Sequence, residues 1–346
     1  MDSATHVVMG VGLCGLATLD PVIAENQATF AAAAVGIMLG SQAPDLDTVL
    51  KMRNNAVYIK NHRGSSHSLP AVLLWSVAIA VLTFMFIPEA ALIHVWIWTL
   101  LAVGLHVFVD IFNAYGTKAL APFKNRWIAL GAINIFDPFL FGMHILGIVL
   151  WIMGAHPGYT FLAIYGVLLI YYLWRMHVRN KIVRLARKRH PRASHIFISP
   201  TIRWTDFHLV IRTRNHLHVA TYKNKNIRYL ESFPFEPIPQ DEVILAALKD
   251  TNLTAFLSFS PAYRWNVEEK SFGYEVTFTD LRYRSGGYYP FITIVRLNSN
   301  LQILGSYTGW IYNQTKLEQK LQKSTEQNTK KSEIKTCNVT LRCMSF

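Results

Sequence analysis

The sequence predicts an α-helical multi-pass membrane bundle of about 4–6 spans, followed by a small α+β cytoplasmic domain with an antiparallel sheet. Three observations predict it. Charged residues are only 16% of the 346-residue chain, against about 25% in soluble domains. The apolar residues concentrate before residue 174 in runs long enough to approach a bilayer's thickness, and the remainder reads as ordinary soluble protein with a basic bias. Past residue 195, the pattern becomes the two-residue alternation of strands with one buried face.

The elements follow in order. Two weaker apolar runs, 6–19 and 28–41, flank Asp20-Pro21 and are short for a span, which allows tilted or re-entrant helices. Residues 69–87 form an apolar run close to the ~20 residues that cross a bilayer as a helix. Residues 90–112 form another, interrupted only by His94, His106 and Asp110, with Pro88-Glu89 as the turn between the two. A second pair, 139–155 and 158–174, joins around His156-Pro157-Gly158. These runs make 1–174 a transmembrane domain, with 175–192 as a basic juxtamembrane helix leaving the membrane along anionic lipid headgroups. Residues 193–312 make the α+β domain. Its strands are expected at 208–212, 217–222, 254–260, 273–284, 288–297 and 301–308, with a helix at 240–249 and a Gly286-Gly287 hairpin turn. The polar tail, 313–346, is expected to be a frayed helix or disordered.

Charge orients the bundle. If every run crosses, 42–68, 113–138 and everything after 174 share one side. That side carries Lys51, Arg53, Lys60, Arg63, Lys118, Lys124, Arg126 and the basic residues from Arg175 to Arg192, while the opposite turns carry no Lys or Arg. The positive-inside rule makes that side cytoplasmic. With only Cys14, Cys337 and Cys343 present, no disulfide framework is implied and a reducing compartment is expected. No cleavable signal peptide is recognisable: the first apolar run lacks a basic leader. The net charge of +13 suits an anionic membrane surface, a phosphate-bearing substrate or a nucleic acid without choosing among them.

The same topology gathers ionisable residues at one membrane face: His6, Asp45, Asp47, His62, His67, His106, Asp110 and Asp137. Such groups near hydrocarbon are costly and therefore mark function. His with Asp and no Cys is the ligand mix of a hydrolytic metal site. His106 and Asp110, four apart, share a helix face, which Asn113 continues. Asp45 and Asp47 fall on one side if the loop is extended, and their mutual repulsion calls for a cation. Helix capping is the competing role for either. His62 and His67 flank Arg63-Gly64-Ser65-Ser66. Gly64 permits a sharp turn, Ser66 or Ser68 can cap the next helix, and Arg63 can hold an anion. Asp137 is a candidate catalytic base, with helix initiation before Pro138 as its structural alternative. His6 could equally be an interfacial polar residue capped by Thr5.

The blocks THVVMG at 5–10, SQAPDLDTV at 41–49, NHRGSSHS at 61–68 and HVFVDIFNAYGT at 106–117 resemble the YdjM-like family of membrane-bound metal-dependent hydrolases. The resemblance covers about 1–175, and one to the YfhP-type branch extends through most of the remainder. It implies a metal set of His6, Asp45, Asp47, His62, His67, His106 and Asp110. Ser66 departs mildly from the expected Thr but keeps the hydroxyl.

The expected activity is metal-dependent hydrolysis of an ester or phosphoester of a lipid-like substrate at the cytoplasmic interface. It would use one or two divalent ions, zinc first and manganese or iron next, with Asp47, Arg63 and Asp137 as catalytic residues. A phosphohistidine phosphatase is disfavoured because no Lys-rich motif ending in Arg-Pro accompanies His106–Asp110. The non-enzymatic alternative is a membrane-tethered regulatory or binding protein whose basic domain meets a protein or nucleic acid. No helix-turn-helix or stacking motif favours nucleic acid.

Overall fold

The computed structural model describes residues 1–53, 55–124 and 126–326. Its first half is helical, and every predicted apolar run is a helix. The order is α1 (Ser3–Ala17), α2 (Pro21–Glu25), α3 (Gln27–Gly40), a 3₁₀ segment (Ala43–Val49), α4 (Leu50–Arg53), α5 (Asn55–Asn61), a 3₁₀ turn (Ser65–His67), α6 (Leu69–Phe86), α7 (Leu92–Asp110), α8 (Pro138–Ile152) and α9 (Pro157–Arg189). Local chemistry sets the boundaries. Asp2, Asn26 and Ser68 accept hydrogen bonds from the backbone N–H groups of Thr5, Thr29 and Ala71, while Pro stands in the first turn of α6, α8 and α9. The cap of α1 is therefore Asp2, and Thr5 donates to it.

Among the described residues, α6, α7 and α9 are long and apolar enough to cross a membrane, whereas α1, α3 and α8 are shorter apolar helices. Leu74, Met85 and Phe86 stand 71%, 72% and 80% exposed on α6, a face that needs lipid rather than water around it. Inside the bundle, small residues admit large ones. A methyl group at Gly12 would lie 3.1 Å from the buried Phe161 ring of α9, and Phe161 also fills the space beside Gly147. Such small-residue contacts let helices approach closely where apolar surface alone gives no preference between protein and lipid.

The juxtamembrane stretch is helical, as expected, and forms the end of α9. Residues 175–189 continue α9 without a break, giving one 33-residue helix. Several of its basic side chains hold other parts of the protein. Arg175 is buried and donates to the carbonyls of Ala132 (2.9 Å) and Trp204 (2.6 Å), while Arg179 donates to that of Leu130. Farther on, Ile182 and Ala186 pack into the core beneath the first sheet.

The second half contains two four-stranded antiparallel sheets rather than one. The first runs in order β1 (His195–Pro200), β2 (Phe207–Arg212), β3 (His216–Lys223) and β4 (Asn226–Pro234). Helices α10 (Glu242–Ala247) and α11 (Thr251–Phe259) follow. The second sheet is β5 (Tyr263–Lys270), β6 (Gly273–Asp280), β7 (Phe291–Leu297) and β8 (Ile303–Trp310), again in sequence order. The strand expected at 254–260 is thus mostly α11. Asp250 caps it by accepting from the N–H groups of Asn252 and Leu253, and Leu253 and Phe256 are buried one turn apart. Gly286 and Gly287 do form a tight turn, both at positive φ, closed by paired hydrogen bonds between Ser285 and Tyr288. The beginning of the tail is helical over 314–326, with Leu317 and Leu321 buried beside Ile294. The tail beyond 326 lies outside the described residues.

Contacts tie the halves together on one face of the bundle. Helix α5 packs on α11, Asn55 donates to the carbonyl of Thr308, and the α7–α8 loop supplies the carbonyls held by Arg175 and Arg179.

Candidate metal centre

Four segments bring their polar residues to one point at this face. Helix α7 ends there, and its pitch sets His106 and Asp110 on a shared side, Nε2 to Oδ2 3.7 Å. The 3₁₀ segment after α3 presents Asp45, the turn before α6 presents His67, and α1 presents His6. His6, His67, His106 and Asp110 are each at most 1% exposed. His67 Nε2 lies 3.5 Å from Asp45 Oδ1 and 3.3 Å from Asp110 Oδ2, and His106 Nε2 lies 3.7 Å from Asp45 Oδ1.

These four atoms are buried and have no hydrogen-bond partner among the described residues. Leaving so many donors and acceptors unsatisfied costs on the order of 1–3 kcal/mol each. The spacing has a simple explanation. A tetrahedral ion with bonds of about 2.0–2.1 Å separates its ligands by about 3.3 Å, close to what Asp45, His67, His106 and Asp110 provide. The donor set therefore fits a divalent cation. His6 stacks on His106, ring centroids 3.6 Å apart, with Nε2 3.5 Å from Asp110 Oδ1 and equally unpartnered. It stands as a fifth donor at the rim. The Met1 amine also pairs with Asp110 Oδ1.

The outer contacts fix which imidazole nitrogen faces inward. His106 Nδ1 donates to the Ser41 carbonyl at 2.7 Å. Ser66 Oγ donates to Asp47 Oδ2 at 2.7 Å and so accepts from His67 Nδ1 at 3.0 Å. Both Nε2 atoms are left unprotonated, the state a metal ligand requires. Burial lowers the pKa of His67 to about 4, with Asp45 opposing the shift. Burial alone would raise the pKa of Asp45, but His106, His67 and Arg63 together hold it well below the ordinary carboxylate range.

Asp45 and Asp47 lie in a 3₁₀ segment rather than extended chain, yet their carboxylates still come within 4.8 Å of each other. Asp47 accepts from the Arg63 backbone N–H (3.1 Å), from Ser66, and pairs with His62 Nδ1 at 2.8 Å. Asp45, Asp47 and His62 form a second, less buried group close enough to surround an ion, although Asp47 and His62 already satisfy one another. Asn113 continues the Asp110 face as expected, donating to Asp110 Oδ1 at 3.4 Å, while its own oxygen accepts from the N–H groups of Tyr115 and Gly116.

The sharp turn in the loop is made by Arg63, at φ 57°, beside Gly64. Arg63 is 6% exposed, with Nε 3.3 Å from Asp110 Oδ2 and Nη2 donating to the Met1 carbonyl. Among the described residues, no hydrogen bond or ion pair links Asp137 to this cluster. Its carboxylate caps α8, accepting from the N–H groups of Phe139 and Leu140, and takes the Tyr171 hydroxyl at 2.7 Å. Sequence reasoning missed Ser41, which acts through its backbone carbonyl and leaves no side-chain signature. It also considered Ser66 only as a cap.

The chain matches the family model described as YdjM inner membrane protein over residues 1–182, and it belongs to that family of membrane proteins. Residues 191–233 match the YfhP middle domain and 242–321 the YfhP C-terminal alpha/beta plait domain. Protein YfhP of Bacillus subtilis (strain 168) is 50% identical over 322 residues, covering 93% of this chain and 98% of that protein. No solved structure matches the chain.

Proposed function

We propose that the chain is an integral-membrane, metal-dependent hydrolase acting at the cytoplasmic interface on an ester or phosphoester of a lipid-like substrate. The observation that carries this reading is the convergence of Asp45 Oδ1, His67 Nε2, His106 Nε2 and Asp110 Oδ2, all buried, mutually close and without a hydrogen-bond partner among the described residues. These four residues would hold one ion, zinc first, with manganese or iron as the alternatives that two carboxylates also suit. A divalent ion there supplies Lewis acidity toward a carbonyl or phosphoryl oxygen and activates water.

The chain's own residues then divide the work. Asp47 orients His62 through Nδ1, so the imidazole can take a proton at Nε2; this is the arrangement of a general base held by a carboxylate. His62 is the more solvent-accessible partner, at 23% against 8% for Asp47. Asp47 thus acts through His62 rather than as a base or ligand itself. Arg63 remains cationic and neutralises charge developing on the reacting group. The cytoplasmic assignment rests on the distribution of Lys and Arg among the loops.

Full-length protein purified in detergent and loaded with zinc or manganese should hydrolyse activated carboxylic or phosphate esters. His67→Ala should abolish the activity together with the bound ion. His62→Gln should lower kcat by about 10²–10⁴-fold while the ion stays bound. Equal turnover by His67→Ala and wild type would refute the hydrolase reading.

A further inference from the structure

The β-rich half has no role in the site described so far, yet it forms one wall of the space in front of it. A cavity of about 390 Å³ is lined by Asp45, His62 and Arg63 on one side and by Phe259 and Trp310 of the C-terminal domain on the other. Tyr115 and Trp127, from the loop after α7, complete the aromatic wall. Tyr115 stacks with Phe259 at 5.9 Å and Trp127 meets Phe259 edge-on at 5.7 Å, while Trp310 lies 6.0 Å from Tyr115.

The polar side of the cavity is short of anions. Its two lining carboxylates are committed: Asp45 faces the metal ligands and Asp2 caps α1 through Thr5. Its cations are only partly committed: Arg63 pairs through Nε with Asp110 and donates from Nη2 to the Met1 carbonyl. Arg63, although buried, leaves Nη1 without a hydrogen-bond partner. Lys51, at the mouth, lies 4.3 Å over the Tyr58 ring and forms no ion pair among the described residues. A buried guanidinium with a free N–H beside a cationic rim is an incomplete phosphate site. Aromatic faces opposite it recognise a flat ring, since stacking tolerates any ring with a π or C–H face.

We infer that this cavity binds a phosphate ester whose polar part carries a ring, with the phosphate at Arg63 and Lys51 and the ring against Trp127, Phe259 and Trp310. The C-terminal domain is then the specificity element of the membrane-embedded site. This deepens the hydrolase reading and rests on it for the identity of the reacting bond, but the binding claim can be tested separately.

The test uses full-length protein in detergent and three probes that cannot be hydrolysed: inorganic phosphate, hexylphosphonate and phenylphosphonate. Calorimetry should find phenylphosphonate at least about 10-fold tighter than hexylphosphonate. Trp127→Leu and Phe259→Leu should erase that preference while leaving hexylphosphonate binding within about 2-fold. Arg63→Gln should weaken all three probes by about 10-fold or more. Adenosine monophosphate and nanodiscs containing phosphatidylinositol, offered as competitors, separate a soluble ester from a lipid headgroup as the source of the ring.

Equal affinity for the phenyl and hexyl probes, or an equal loss of both in Trp127→Leu, would overturn the inference. Metal content of the same samples keeps the two readings apart. A protein that carries its ion yet shows no ring preference overturns the cavity inference alone. A ring preference in protein that takes up no ion overturns the metal reading and leaves the cavity inference standing.

Discussion

At the scale of single residues, the candidate site is a problem of proton placement. Two imidazoles must face inward unprotonated, and the chain achieves this with one backbone carbonyl, that of Ser41, and one hydroxyl, that of Ser66. Ser66 is the replaceable member. Ser66→Ala should weaken metal binding by about 10–100-fold, the usual effect of losing an outer partner, and Ser66→Thr should restore it because the hydroxyl remains. Competition with a chelator of known affinity would read both; unchanged affinity in Ser66→Ala would mean that His67 needs no such support. The residue types of this site were legible in the sequence, since His and Asp at the edge of apolar runs have few structural reasons to be there. Their division into ligands and orienting groups was not, because it turns on which partners each side chain meets in the folded bundle, as Asp47 meets Ser66 and His62. Asp137 was left open between two roles for a related reason. A carboxylate before Pro can serve as cap or base, and here it caps α8 and accepts the Tyr171 hydroxyl.

At the scale of elements, the long helix α9 and the two sheets determine how the soluble half meets the bundle. The apolar part of α9 and the turn chemistry at Gly286-Gly287 were readable from pattern. The strand expected at 254–260 was not, because a short run rich in Phe, Leu and Ser satisfies both periods and only the Asp250 cap argues for helix. The sheets are joined by a buried histidine: His208 of β2 bonds through Nε2 to the Leu281 carbonyl after β6, at 2.8 Å. Burial disfavours its cation and lowers its pKa, and Arg284 adds to this, while the Leu281 hydrogen bond and the Asp280 and Glu231 carboxylates oppose it. The unfolded chain, with an ordinary histidine pKa of about 6.5, therefore takes up the proton first as pH falls. His208 contributes its full stability above that value and loses it as pH drops toward the folded pKa. Thermal unfolding between about pH 7.5 and pH 5 should show wild type losing more stability than His208→Gln. Parallel curves for the two proteins would remove His208 from the account.

At the scale of the whole molecule, the arrangement requires that loop 42–68, loop 113–138 and the β-rich half occupy one side of the membrane. The Asn55–Thr308 contact joins the first loop to the β-rich half, Arg175 of α9 holds the carbonyls of both Ala132 and Trp204, and the Lys and Arg count predicts the same side independently. A cytoplasm-active reporter fused after residue 326 should be active, and the same reporter inserted at Glu89 should be silent; the reverse result would invert the topology. The site itself exists only when the bundle is assembled, because α1, the 3₁₀ segment, the turn before α6 and the end of α7 each contribute a donor. Metal content is therefore the direct measure of the central claim. Wild-type protein purified in detergent should retain about one equivalent of a divalent transition metal, and His67→Ala and Asp110→Ala, each still monodisperse, should retain almost none. Full occupancy in both variants, or none in a correctly folded wild type, would contradict it.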